Sequence, residues 1–214
     1  MPELVADVLA VVDRLGGGRV HLVGHDWGGV VAWNLAGQAS ERVATLTAIS
    51  TPHPKAFARA LWSSSQLLRS AYIGFFGMPW LPELVLGAQR QRGLRFLLAG
   101  SGLDPEWIHT YTDALGQPGA LAAALAWYRA ATPFSVGGPH VAVPTLYVWG
   151  SRDPALGPTA ARATGRWVTG PYRFEVLPGA GHWLPEQHPE QLTRLLLAHL
   201  QDAGVPAGGL GRDG

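Results

Sequence analysis

The stretch Val23-Gly24-His25-Asp26-Trp27-Gly28-Gly29-Val30 constrains the fold of this chain more than any other. It joins a short apolar run, Arg19 to Val23, to a segment of helical character, Val30 to Ala36, and leaves little more than a glycine-flanked acid between them. An apolar strand with no polar face, turned so tightly into a helix, suits a parallel sheet covered by helices on both sides. A second β-rich run follows at Val43 to Ile49, so the order is strand, turn, helix, strand, the βαβ unit. Ahead of it Leu4, Val5, Val8, Leu9, Val12 and Leu15 recur at helical spacing, and Gly16 to Gly18 end that helix.

The same grammar returns late in the chain. Strands are expected at Thr145 to Trp149 and Arg173 to Leu177, and a last helix at Pro189 to Leu200. Between the blocks, a stretch rich in Leu, Ala, Trp and Tyr has helical character and no strand series. The expected organisation is therefore an α/β core over 1–55, a helical cap over 56–139, the rest of the core over 140–201, and a disordered tail over 202–214, which is too poor in apolar residues to pack. At 214 residues this is one domain with an inserted lobe.

Composition excludes several chemistries. With no cysteine, thiol catalysis, disulfides and cysteine-bound metals are ruled out. Sixteen Lys and Arg against 15 Asp and Glu, with no run of like charge, give no reason to expect nucleic acid or an anionic membrane as partner. Glu3 and Asp7 break the layout of a signal peptide, so the expectation is a cytoplasmic protein. His21, His25, His140 and His188 form no clustered ligand set and read as structural, so neither a metal nor a cofactor is expected.

Gly24-His25-Asp26-Trp27-Gly28 has the G-x-x-x-G layout of a nucleophile elbow, whose small flanking residues permit a strained turn that exposes the central side chain. An Asp at that corner also lies at a helix N-terminus, where backbone N–H groups and the helix dipole favour negative charge. An ordinary helix N-cap accounts for the same pentapeptide. Downstream, Asp153 stands just past the third strand and His182, in a glycine turn, just past the fourth. Each has a plain reading, Asp153 as the start of a turn and His182 as a loop residue. Together they put acid, acid and histidine at strand ends, where open α/β sheets bind their ligands.

In "HLVGHDWGGVVAW", "LYVWGSRDPALGP" and "LPGAGHWLPEQHPE" the chain resembles the epoxide hydrolase branch of the α/β-hydrolases, over nearly all of residues 1 to about 201. The resemblance implies a mostly parallel sheet with an inserted helical cap, Asp26 as nucleophile, and His182, oriented by Asp153, as the base. It also implies a backbone oxyanion donor at Trp27. "AYIGFFGMPWLPE" and "LAWYRA" look like the places where this branch carries paired tyrosines, here Tyr72 and Tyr128. Without the family each tyrosine would read as a packing aromatic.

The chemistry suits an acid. A carboxylate is ionised at pH 7 and needs no base to attack, and attack on an epoxide carbon leaves an alkyl ester that water can cleave. Attack on an ester would leave a mixed anhydride. The expected reaction is hydrolysis of a small hydrophobic epoxide by water to a diol. Haloalkane dehalogenases, which carry a Trp after the nucleophile, are the alternative, but they lack the tyrosine pair. Trp80, Trp107 and Trp127 suggest a large apolar pocket, although tryptophans are also ordinary packing.

One departure stands out. The family's His-Gly-x-Pro oxyanion segment and the strands around it have no counterpart here, so the first strand is expected to be an exposed edge prone to self-association. A late start codon, a gene remnant and half of a split protein each account for this. An inactive remnant that binds a ligand or partner is therefore the second class of function.

Overall fold

The computed structural model describes residues 1–130 and 138–204. Its frame is a parallel four-stranded sheet in the order β1 (Val20–His25), β2 (Val43–Ile49), β3 (Thr145–Gly150), β4 (Tyr172–Leu177). Sequence order and spatial order coincide, and because all three pairings are parallel the loops that follow the strands leave the same end of the sheet.

Two helices cover one face, α1 (Pro2–Arg14) and α2 (Trp27–Gln38). Val5 of α1 and Trp33 and Leu35 of α2 pack there with Leu46, Ala48 and Tyr147 of the strands. The alternate strand residues Ile49, Leu146 and Val148 point to the opposite face. Leu184 and Leu192 close that side, from two helices that follow β4 and are here α10 (Leu184–Gln187) and α11 (Pro189–Asp202). That face thus rests on the C-terminal helices.

α2 starts at Trp27, three residues before its expected start, because Gly28 and Gly29 in the first turn have low helix propensity and hide the onset. β1 runs on to His25, two residues past its expected end, because Gly24 is poor in strand propensity and hides the continuation. The expectation that β1 is covered on both faces needs correction. Only the inner strand β3 is buried at all six positions, whereas Val23 of β1 is 45% exposed. Among the described residues no strand pairs with the outer side of β1, so its apolar character is not matched by cover.

From β2 to Ala130 the described elements are all helices: α3 (Pro54–Ser63), α4 (Gln66–Arg69), α5 (Ala71–Phe76), α6 (Leu81–Gly100), α7 (Pro105–Leu115) and α8 (Ala120–Ala130), and Val141, ahead of β3, makes an isolated parallel bridge with Val168. Phe76, Leu86, Leu94, Leu98, Leu103 and Leu125 give it a core separate from those of the sheet. α6 is broken at Gln89, Arg90 and Gln91, which have left-handed backbone angles. α3 packs back on α9 (Pro158–Ala163), the helix after β3. Residues 131–137 of the expected cap and 205–214 of the expected tail lie outside the described residues, and Asp202 ends α11 rather than beginning a tail. No described helix is long and apolar enough to cross a membrane.

Candidate active site

Asp26 sits where β1 gives way to α2, with φ 49° and ψ −122°. A non-glycine residue held there costs on the order of 1–3 kcal/mol, so the surrounding structure must over-determine the turn. It does so with close backbone approaches. A Cβ on Gly24 would lie 2.4 Å from the Gly28 carbonyl oxygen, and one on Gly29 would lie 2.7 Å from the Thr51 Cβ. Gly28, which the elbow pattern singles out, has open space around it, so Gly24 and Gly29 are the positions that admit no side chain. Thr51 completes the corner by donating its hydroxyl to the Asp26 carbonyl at 2.9 Å. Although Asp26 occupies the N-cap position of α2, its side chain makes no capping hydrogen bond. The carboxylate is left to line the space beneath the helical segment.

What it meets is His182. Nε2 of His182 lies 3.5 Å from Asp26 Oδ1, and Nδ1 lies 2.8 Å from Asp153 Oδ2. The other oxygen of Asp153 accepts the backbone N–H groups of Ala155 and Leu156 at 2.8 and 2.9 Å. The turn that the plain reading of Asp153 expects is thus made by one oxygen, while the other meets His182. With Asp153 accepting, Nδ1 carries a proton, and Nε2 is the nitrogen directed at Asp26.

Burial alone would lower the His182 pKa, but its hydrogen bonds to Asp153 and Asp26, with their charges, raise it to about 10. Burial likewise opposes the charge on Asp26, and His182 outweighs it, together with His25 and the Trp27 backbone N–H, so that the Asp26 pKa falls below its ordinary value. Asp26 lies deep beneath the helical segment, yet 38% of its side chain is accessible because it borders a cavity. Both shifts favour a charged Asp26 beside a charged His182.

Since the folded pKa of His182 exceeds the reference 6.5, the pair's contribution to stability is complete below about pH 6.5 and is lost as pH rises through about 10. The difference in melting temperature between the wild-type chain and His182→Gln should accordingly shrink across that window. A difference that stays flat from pH 6.5 to 10 would count against the pair.

Tyr72 of α5 and Tyr128 of α8 come together over Asp26, their ring centroids 6.3 Å apart. Tyr128 also stands edge-on to Trp27 at 5.1 Å. Burial first, and then the Asp26 charge, raise both hydroxyls above the ordinary phenol range. Both stay protonated and can donate. Two apolar cavities of about 450 and 360 Å³ adjoin this group, sizes typical of small-molecule sites. Neither is lined by Trp80, Trp107 or Trp127. Trp80 is 70% exposed, and Trp107 and Trp127 pack against hydrophobic cores, so these tryptophans do not build the pocket.

Two further residues escape the sequence patterns. The His182 backbone carbonyl accepts Ser50 Oγ at 2.8 Å and His25 Nε2 at 3.0 Å. A carbonyl can only accept, so Nε2 of His25 is protonated, while burial and then the nearby His182 charge hold the ring's pKa down. The glycine-rich turn that carries His182 is thereby tied to the ends of β1 and β2. His25 could have been suspected from its place beside Asp26. Ser50 has no such mark. Among the described residues no group of three or more His, Asp or Glu is arranged to hold a metal ion.

A parallel sheet whose elbow acid meets a histidine and acid from later strand ends defines an α/β-hydrolase site, here with a carboxylate at the elbow. The family model described as alpha/beta hydrolase fold matches residues 1–189, and the chain belongs to that family. Within it, the chain is 32% identical over 210 residues to epoxide hydrolase 4 of Homo sapiens, covering 93% of this chain and 58% of that protein. It is 30% identical over 242 residues to epoxide hydrolase A of Mycobacterium tuberculosis, covering 92% of this chain and 74% of that one. The chain thus spans little more than half the length of the first of these relatives. A crystal structure of Bacillus megaterium epoxide hydrolase with an inhibitor has the same fold, with a TM-score of 0.80 at 24% identity over 92% of this chain and 74% of that chain.

Proposed function

We propose that this chain carries the chemistry of epoxide hydrolysis, converting an epoxide to a diol through an alkyl ester on Asp26, with the helical segment as cap. The observation that carries the reading is the meeting of Asp26, His182, Tyr72 and Tyr128 at one apolar cavity wall. An Asp26 oxygen forms a bond to a ring carbon, and the carbon–oxygen bond of the ring breaks. The oxygen leaving that carbon takes a proton from Tyr72 or Tyr128.

Alkylation removes the Asp26 charge that helps to raise the His182 pKa. The imidazolium then gives up its proton more readily, the phenolate left on the tyrosine is reprotonated by it through the site, and neutral His182 becomes a base in the step that needs one. His182 takes a proton from water, and the oxygen of that water attacks the Asp26 carbonyl carbon. The backbone N–H of Trp27 stabilises the resulting oxyanion. The bond between that carbon and the product oxygen breaks, His182 gives its proton to that oxygen, the diol leaves, and the proton remaining on the Asp26 carboxyl passes to His182, which restores the starting pair.

A single turnover with excess protein in ¹⁸O-water tests this route, using styrene oxide. The label should enter Asp26 and be absent from the diol. Label in the diol would indicate direct attack by water on the ring. The dehalogenase reading predicts halide release from a chloroalkane with no opening of epoxides. It is the weaker one, because a departing halide needs no proton and two protonated phenols would serve no purpose there. An inactive binding module predicts neither product.

A further inference from the structure

The helical segment keeps large apolar residues in its own core and also on its surface. Of the 13 that stand exposed among the described residues, eight lie between positions 62 and 96. Single exposed apolar side chains are ordinary, whereas a concentration of this kind marks a surface that meets something apolar. The first group borders the cavity of about 450 Å³. Leu67 of α4 lines that cavity and is also 56% exposed, with exposed Trp62 and Leu68 close to it in the chain. Gly77 is a further part of the lining, and exposed Met78 and Trp80 follow it. The second group is on α6. Its left-handed break at Gln89, Arg90 and Gln91 turns the helix back on itself, so closely that a Cβ on Gly93 would lie 2.4 Å from the Val85 carbonyl oxygen. Exposed Leu84 and Val85 are thereby brought toward exposed Phe96. Arg129 links the two groups, donating to the Met78 carbonyl at 2.9 Å and pairing with Glu83 of α6 at 2.7 Å.

Charge indicates what this surface meets. Residues 54–100 carry six cations, Lys55, Arg59, Arg69, Arg90, Arg92 and Arg95, all exposed, and one acid, Glu83, which is the partner of Arg129. The rest of the chain has ten Lys and Arg against 14 Asp and Glu, so the positive excess belongs to this segment. No run of like charge announces it, because the six cations are dispersed along four helices. A second copy offering the same face would set cations against cations, and a nucleic acid would leave the aliphatic side chains in water. An anionic lipid surface meets both needs, since aromatic and aliphatic side chains enter the headgroup boundary while Lys and Arg stay at the phosphates.

We propose that the exposed side of α3 to α6 seats on an anionic lipid surface, with the mouth of the 450 Å³ cavity turned toward the bilayer. Apolar compounds dissolved in the bilayer then have a path to Asp26, which lines the same cavity, without crossing water. The docking stands on the surface alone and does not require the reaction proposed above.

Flotation of the 214-residue chain with lipid vesicles tests it. Phosphatidylcholine vesicles containing about 30% phosphatidylglycerol should bind at least roughly tenfold more tightly than phosphatidylcholine alone, and about 0.5 M NaCl should remove most of that gain. Arg92→Glu combined with Arg95→Glu, and Trp62→Asp combined with Trp80→Asp, should each weaken binding to the anionic vesicles at least roughly tenfold. Arg14→Glu combined with Arg194→Glu makes the same change of charge on α1 and α11, which cover the sheet, and should alter binding less than about twofold. Should a variant fail to fold, the wild-type chain answers by itself. Lipids brominated near the headgroup should quench its tryptophan emission, and the milder Trp62→Phe with Trp80→Phe should lose most of that quenching. Equal loss of binding in the Arg14 and Arg194 variant, or vesicle binding with no quenching, would overturn the proposed face. Binding of duplex DNA without vesicles, or a dimer split by Trp80→Asp in a chain that ignores vesicles, would replace the lipid surface with another occupant. Absence of epoxide turnover would overturn the reaction and leave the docking intact.

Discussion

In a His182→Gln chain, the mass of one epoxide should accumulate on the peptide that contains Asp26, while steady release of diol falls by roughly 10²- to 10⁴-fold. The two halves of the proposed reaction ask different things of the site. Alkylation needs an ionised Asp26 and a proton donor for the ring oxygen, and neither role belongs to His182. Loss of the imidazolium also removes the partner that lowers the Asp26 pKa most, so the carboxylate becomes more basic. The ester, by contrast, is cleaved by water, and the group placed to take a proton from that water is Nε2 of His182, 3.5 Å from Asp26 Oδ1. A burst of one equivalent followed by a stall is the expected time course. Intact-mass and peptide-mass measurements check it directly. An adduct on any other residue, or normal diol release by the variant, would remove Asp26 and His182 from these roles.

Those two positions were legible in the sequence because each is forced by local geometry. Asp26 must lie between a strand and a helix with no room for side chains around it, and glycine marks such corners. Asp153 and His182 follow strands β3 and β4, whose apolar runs bound them closely. The alternatives were legible too, and the structure resolves them unequally. The N-cap reading of Asp26 fails because the side chain makes no capping bond, whereas the turn reading of Asp153 is correct and coexists with its contact to His182.

The pocket was the least legible part. Its walls come from leucines of helices far apart in the chain, and no local period distinguishes a leucine that lines a cavity from one that fills a core. Large aromatics invited the wrong choice, since Trp80 has its ring outside. Ser50 was hidden for a related reason. Its importance lies in a contact across 132 positions of sequence to a carbonyl, and a backbone acceptor leaves no trace in residue type.

Tyr72→Phe and Tyr128→Phe should each slow alkylation by roughly 10- to 30-fold, and the double variant by about 10³-fold or more. The oxygen of the opened ring would leave as an alkoxide, much more basic than phenolate, unless it is met by a donor. Both hydroxyls are suited to that role because burial and the Asp26 charge keep them protonated over the whole working range of pH. The hydroxyls share one acceptor, so either can partly cover for the loss of the other, and the double variant should exceed the sum of the single losses in free energy. Phenylalanine keeps the ring contacts of the pair with Phe76 and Trp27, which separates lost proton donation from lost packing. Rapid quenching resolves the two halves of the reaction. Formation of the ester should slow, while its hydrolysis, once formed, should stay within a few-fold of wild type, since no charge then develops at the tyrosines. Equal rates of alkylation in all three variants would take these residues out of the mechanism, and an equal slowing of both halves would mean that they support the site's structure rather than the departure of the ring oxygen.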